Sequence, residues 1–146
     1  MAAASPAAVF RALHDRTGGR FFTVMALDRA AGLARRVYSS DPEAYPVSGT
    51  KPMPQSDWTD RVVHRGALFV ANSVAEFAPH FPDHALIESL GCGAALNIPV
   101  GQGMVVGTVN ILDVAGHFTP AEVNRCTAAC ADMQADLLAA LARTPV

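Results

Sequence analysis

Side chains able to do chemistry gather in three places along this chain. Cys92 stands between Gly91 and Gly93, where two residues without side chains would leave a thiol open to a ligand. A cysteine with a base nearby can act as a nucleophile, and His84, across a short predicted helix, is the candidate base. The bland alternative is a tight turn that happens to contain a cysteine. Asn97, Thr108 and Asn110 lie within two apolar runs, and a buried amide there needs a hydrogen-bond partner, either loop backbone or a ligand. Tyr38, Tyr45 and Trp58 are the two tyrosines and the only tryptophan, and all lie at or near a proline-rich stretch. They read either as anchors for that stretch or as an aromatic wall with polar tips. Arg61, one helical turn beyond Trp58, could reach the same place, as could Lys51, and a cation there would suit an anionic ligand. His64, His80, His84 and His117 do not have the spacing of a metal site, and none is expected. No particular cofactor is indicated.

The elements that must hold these residues follow from pattern. Ser5-Pro6 caps a first helix that Gly18-Gly19 ends. Residues 21–27 and 33–40 read as strands joined by a turn at Asp28–Gly32. Residues 41–55 carry Pro42, Pro46, Pro52 and Pro54, which argue for a stiff loop without regular structure. A loop of that length in a compact protein is more often functional than merely connecting. A short helix is expected over 57–65, a strand over 67–71, an irregular stretch through Pro82, and a helical turn or two over 84–90. Residues 93–100 and 104–113 form the clearest hairpin. Thr119-Pro120-Ala121-Glu122 is a capping box opening a last helix to about Leu141. The predicted class is therefore α+β: one antiparallel sheet with the terminal helices on one face and ligand-covering loops on the other. All of residues 1–146 read as one domain, with no repeat or linker.

Alternation along the strands sorts the polar residues. Leu96, Ile98 and Val100 share one face, as do Val105, Val109 and Ile111, and both sets can meet the terminal helices. Asn97, Thr108 and Asn110 then point toward the loops. Tyr38, Tyr45, Trp58, Arg61, Asn97, Thr108 and Asn110 are accordingly the expected ligand-binding set, with the pocket between the sheet and the 41–55 loop. Cys92 is expected at the pocket mouth, reacting with a thiol reagent before Cys126 and Cys130.

Composition bounds the function. Of 146 residues, 51% are hydrophobic and 16% charged, enough for a substantial core. The net charge of -2 and the absence of a basic stripe argue against nucleic acid as a partner. The apolar runs are too short for a membrane span, and the N-terminus lacks a signal-peptide pattern. Three cysteines without paired spacing fit a reducing, cytoplasmic location. The apolar stripe Val123, Cys126, Cys130, Met133, Leu137, Leu141, widened by Leu138, is longer than one sheet needs, so a homodimer through the first and last helices is expected.

Residues 89–100, Ser-Leu-Gly-Cys-Gly-Ala-Ala-Leu-Asn-Ile-Pro-Val, followed by Val106-Gly107-Thr108-Val109-Asn110-Ile111-Leu112 and then Phe118-Thr119-Pro120-Ala121-Glu122, resemble the GAF domain family. The resemblance spans roughly Phe10 to Leu141. It implies a fold similar to PAS domains and a pocket for one small molecule: the family binds cyclic nucleotides, bilins, haem or small metabolites. The family's cyclic-nucleotide signature is absent, and no Cys-His pair stands where a bilin would attach. The resemblance thus implies a stand-alone sensor domain for a small metabolite. The alternative is a small enzyme that uses the same pocket, with Cys92 as reactive thiol and His84 beside it. Cysteine enzymes of this family space their thiols differently from those here, so their activity is not carried over.

Overall fold

The computed structural model describes residues 4–47 and 49–146. Helix α1 (Pro6–Thr17) starts at Ser5, whose hydroxyl accepts the Ala8 N–H at 3.2 Å. Strands β1 (Phe21–Asp28) and β2 (Leu33–Ser39) form the first hairpin. The proline-rich segment is not wholly irregular. Its residues Lys51–Pro52 form a short strand, β3, paired with Leu33 and Ala34, and Pro52 is tolerated because β3 is a sheet edge.

The helix expected over 57–65 is two structures. Helix α2 (Asp57–Thr59) passes into a π-helical segment (Asp60–His64). The wider π turn puts the consecutive residues Val62 and Val63 both at 0% exposure. After β4 (Phe69–Ala71), a helix the sequence reading missed, α3 (Val74–Phe77), is capped by Ser73. Helix α4 (His84–Ser89) follows. Strands β5 (Ala94–Gln102) and β6 (Met104–Asp113) form the central hairpin. The last helix breaks at Met133 into α5 (Pro120–Asp132) and α6 (Gln134–Ala142), with no proline or glycine at the break.

The six strands form one antiparallel sheet in the order β3-β2-β1-β6-β5-β4. Helices α1, α5 and α6 cover one face. There Phe10, Leu13, Phe22, Leu96, Ile111 and Leu137 are buried to below 2% exposure. Gly107 allows α6 to approach, because a Cβ at that position would lie 2.7 Å from Leu141 Cδ1 and 2.8 Å from the Met25 carbonyl. The loops, with α2 to α4, cover the other face around a second core that includes Tyr45, Val62, Phe69, Phe77, Ile87 and Ala95.

Two β-bulges change which face a residue occupies. Val24 pairs with Tyr38 and Met25 with Arg36, so Val37 is an extra residue. Tyr38 is thereby turned to the helix face. Val100 pairs with Gly107 and Gly101 with Val105, which leaves Val106 extra. Val106 then packs against the helix-side core, while Val105 lies against Gly66, so Val105 does not share a face with Val109 as alternation implied.

The terminal stripe is largely consumed within the chain. Cys126, Cys130, Leu137 and Leu141 are buried, and Val123, Met133 and Leu138 are half-buried. Among the described residues the large exposed apolar side chains are Val47, Leu86, Met104 and Val114, none of them on α1, α5 or α6. Both α5 and α6 lie against α1, and what remains of the stripe at the surface is the half-buried Val123, Met133 and Leu138.

Candidate functional site

The loop-side face of the sheet carries a chain of side-chain hydrogen bonds. The Trp58 indole N–H donates to Asn97 Oδ1 at 2.9 Å. Asn97 Nδ2 donates to Asn110 Oδ1 at 2.8 Å, and Asn110 Nδ2 donates to Thr23 Oγ1 at 3.3 Å. Register produces this line directly: Asn97 faces Asn110 across β5 and β6, and Asn110 faces Thr23 across β6 and β1. Its direction is fixed at one end. An indole can only donate, so Asn97 must present oxygen to it and nitrogen to Asn110, which must do likewise to Thr23. The Thr23 hydroxyl therefore accepts within the chain and keeps its proton to donate outward.

Trp58 reaches this line because α2 is locked in place. Ser56 Oγ accepts the Thr59 N–H at 3.2 Å, and the Thr59 hydroxyl donates to the Pro54 carbonyl at 2.7 Å. Over the polar line lies a cleft of about 220 Å³. Its floor is Thr23, Met25, Asn97, Asn110 and Leu112, and its walls are Arg36, Tyr45, Pro54 and Trp58 on one side and His80, Phe81, Asp83 and Ile87 on the other. A second hollow of about 210 Å³ adjoins it under Lys51–Pro54 and shares Met25, Arg36, Pro54 and Trp58.

Tyr45 is set by an Asx turn: Asp41 Oδ1 accepts from the Glu43 and Ala44 N–H groups at 3.1 and 3.2 Å. Its ring packs edge-on to Phe21 at 5.9 Å and carries the Arg36 guanidinium 5.2 Å from its centroid. Arg36 Nη1 donates to the Pro46 carbonyl at 3.1 Å. The Tyr45 hydroxyl is buried and makes no hydrogen bond of good geometry among the described residues, although Asp83 is close enough to act on it. Burial raises the phenol pKa far above its ordinary value of 10; Asp83 and Cys92 add to the rise and Arg36 opposes it. The far wall is held by Phe77 stacked on Phe81 at 5.4 Å and by Phe69 packed at a tilt against Phe81 at 5.6 Å.

Of the residues expected from sequence, Tyr45, Trp58, Asn97 and Asn110 come together here. Asn97 is partnered by Trp58 and Asn110, and Asn110 by Asn97 and Thr23, in place of loop backbone. Tyr38 does not belong: turned by the Val37 bulge, it packs against Phe10 and Phe22 with ring centroids 5.7 and 6.0 Å away. Arg61 is exposed, with Nε donating to the Leu68 carbonyl at 2.8 Å. Thr108 is fully buried on β6 outside the cleft, and its hydroxyl has no partner among the described residues.

Cys92 is not at the mouth. It is 3% exposed within the loop-side core, and burial raises its thiol pKa, with Arg20 opposing and Asp113 adding. The charges acting on it do not include His84. Its flanking glycines serve packing instead: a Cβ on Gly93 would lie 2.9 Å from Ala115 Cβ, and Gly91, at φ +80°, turns beside Arg20.

Sequence reasoning missed Arg36, His80 and Asp83. The alternation of β2 holds as far as Arg36, so it could have placed Arg36 beside Met25, whereas His80 and Asp83 lie in irregular chain where no period assigns a direction. A larger concavity, about 720 Å³, lies elsewhere, between the β1–β2 turn and the end of α6. Its lining is mostly apolar, from Ala26 and Met104 to Leu141 and Val146, and its polar groups, Asp28, Arg29 and His64, include an Arg29–His64 pair at 3.3 Å, without, among the described residues, a line of hydrogen-bonded side chains across the sheet like that under the smaller cleft.

No family model matches the sequence, and no curated protein matches it. Solved structures do match in fold. The GAF domain of a two-component sensor histidine kinase from Bacillus halodurans superposes with a TM-score of 0.69 at 12% identity, over 94% of this chain and 93% of that one. The GAF domain of a phosphoenolpyruvate-protein phosphotransferase from Coxiella burnetii gives 0.65 at 18% identity, over 93% and 82%. The free methionine-R-sulfoxide reductase of Neisseria meningitidis, solved in complex with its substrate, gives 0.64 at 15% identity, over 92% and 76%. The chain therefore has the GAF-domain fold, an α+β architecture built on one antiparallel sheet. No helix among the described residues is long and apolar enough to cross a membrane.

Proposed function

We propose that residues 1–146 act as one GAF-type sensor domain that binds a small molecule in the cleft between the sheet and the 41–55 loop. The observation that carries this reading is the directed chain Trp58–Asn97–Asn110–Thr23 beneath that cleft. A sheet face packed only for stability would be apolar there, because each buried amide must find its partners or cost about 1–3 kcal/mol. Here the polar line leaves the Thr23 hydroxyl proton and the second N–H of Asn110 to serve a ligand, with Arg36, Tyr45 and Asp83 on the walls. Both hollows together reach only the lower part of the roughly 300–1,000 Å³ typical of drug-sized ligands, which favours a compact metabolite.

Three unpaired cysteines support a cytoplasmic setting. Self-association into a homodimer rests on narrower ground than the sequence implied: Met104, 58% exposed, and the half-buried Leu138 line one groove at the end of α6. The cysteine-enzyme alternative loses its basis with the burial of Cys92. Native mass spectrometry of protein purified from its own host tests the proposal. A retained small molecule supports it, and a bare chain mass from a correctly folded sample contradicts it.

A further inference from the structure

We infer that the cleft is built for a small zwitterion, with an anionic group beside Arg36 and Tyr45, a cationic group beside Asp83, and a short apolar frame between the walls. The inference rests on the cleft reading above and adds the class of ligand. Among the described residues lining the cleft, Arg36 and Asp83 carry the two full charges, with His80 the remaining titratable base.

Both charges act on one side chain. The Arg36 guanidinium lies 5.2 Å from the centre of the Tyr45 ring, and Asp83 is close enough to bear on the Tyr45 hydroxyl. Tyr45 itself is 6% exposed, and its hydroxyl makes no hydrogen bond of good geometry among the described residues, Asp83 being the group near enough to act on it. A ligand group that reaches the hydroxyl in good geometry gains a hydrogen bond that Asp83 supplies only poorly.

The charge balance selects among ligands. A lone anion attracted by Arg36 would also meet the repulsion of Asp83, and a lone cation the reverse. A molecule carrying both signs complements both walls. Depth orders the two ends. Arg36 is half-buried while Asp83 is exposed at the rim, so the anionic end points inward and the cationic end faces the mouth. Met25, Trp58 and Leu112 supply the apolar contact between them, and the Thr23 hydroxyl proton reinforces the anionic end.

Titration calorimetry on the intact protein tests this with two zwitterions of different charge spacing, leucine and 6-aminohexanoate. Hexanoate and hexylamine serve as singly charged counterparts. One zwitterion should bind at least about tenfold more tightly than either counterpart. Asp83→Asn and Arg36→Gln should each remove that advantage, and Tyr45→Phe should reduce it without changing the fold. Asp83→Asn, at the exposed rim, carries the test where Arg36→Gln does not fold. A singly charged probe that binds as tightly as the better zwitterion overturns the inference and leaves the cleft reading standing. Silence from all four probes at millimolar concentration also overturns it, and the cleft reading is then judged separately by the native mass of host-purified protein.

Discussion

Asn97 on β5 and Asn110 on β6 stand directly opposite each other and share a 2.8 Å hydrogen bond on the loop-side face of the sheet. Each amide is oriented by the next, so the pair behaves as a unit. Replacing one member strands the other. Asn110→Leu should cost about 1–3 kcal/mol in urea unfolding, because Asn97 Nδ2 loses its acceptor. The double variant Asn97→Leu/Asn110→Leu should cost less than the two single changes added together, since neither amide is then left unpaired. Strict additivity would show that the two residues are independent and that the chain is incidental.

Tyr38 and Tyr45 should separate stability from binding. Tyr38 packs on Phe10 and Phe22 under the terminal helices, so Tyr38→Ala should lower Tm by several degrees while any ligand still binds the folded fraction. Tyr45→Phe removes a hydroxyl that makes no hydrogen bond of good geometry among the described residues, so it should leave Tm nearly unchanged or raise it. A large drop in Tm for Tyr45→Phe would mean that the hydroxyl is bonded in solution.

How far the sequence reached is clearest along the strands. Alternation alone assigned Asn97 and Asn110 to the loop face, since β1, β5 and most of β6 pair without interruption there. It failed at Val105, and nearness to the proline-rich stretch failed at Tyr38, both because of a bulge. A bulge is a property of two strands in register, and neither the Val37 nor the Val106 insertion is visible in one strand's own pattern. Asp83 and His80 were out of reach because irregular chain has no period. Cys92 was misread because two adjacent glycines suggest openness, whereas both answer to close neighbours, Arg20 and Ala115.

The three cysteines give a pH signature. Burial raises the thiol pKa values of Cys92 and Cys126, and pushes that of Cys130 up to about 12 from an ordinary 9.0. A folded-state pKa above the unfolded one gives stability that is complete below the unfolded value and lost as pH climbs through the folded one. Stability should therefore decline from about pH 9 upward, and Cys130→Ala should make that alkaline limb shallower. With all three thiols buried, a thiol reagent at neutral pH should modify none of them faster than the protein opens. Rapid labelling of Cys92 alone would restore the exposed thiol that the sequence suggested.

Gly107 should be intolerant of even a methyl group. A Cβ there meets Leu141 and the Met25 carbonyl at 2.7 and 2.8 Å, one of them backbone, so α6 would have to lift from the sheet. Gly107→Ala should cost about 1–3 kcal/mol by thermal or urea unfolding. A neutral substitution would show that α6 packs less closely in solution.

Trp58 is the only tryptophan, so its indole N–H gives one resonance that reports directly on the start of the polar chain. That chain forms the floor of the proposed ligand cleft. In a nitrogen–proton correlation spectrum, that resonance should be protected from solvent exchange in the free protein. It should shift when a small-molecule extract of the host is added, and Asn97→Leu should abolish both the protection and the shift. An indole resonance that exchanges freely, or one that stays in place with every extract fraction, would contradict the account.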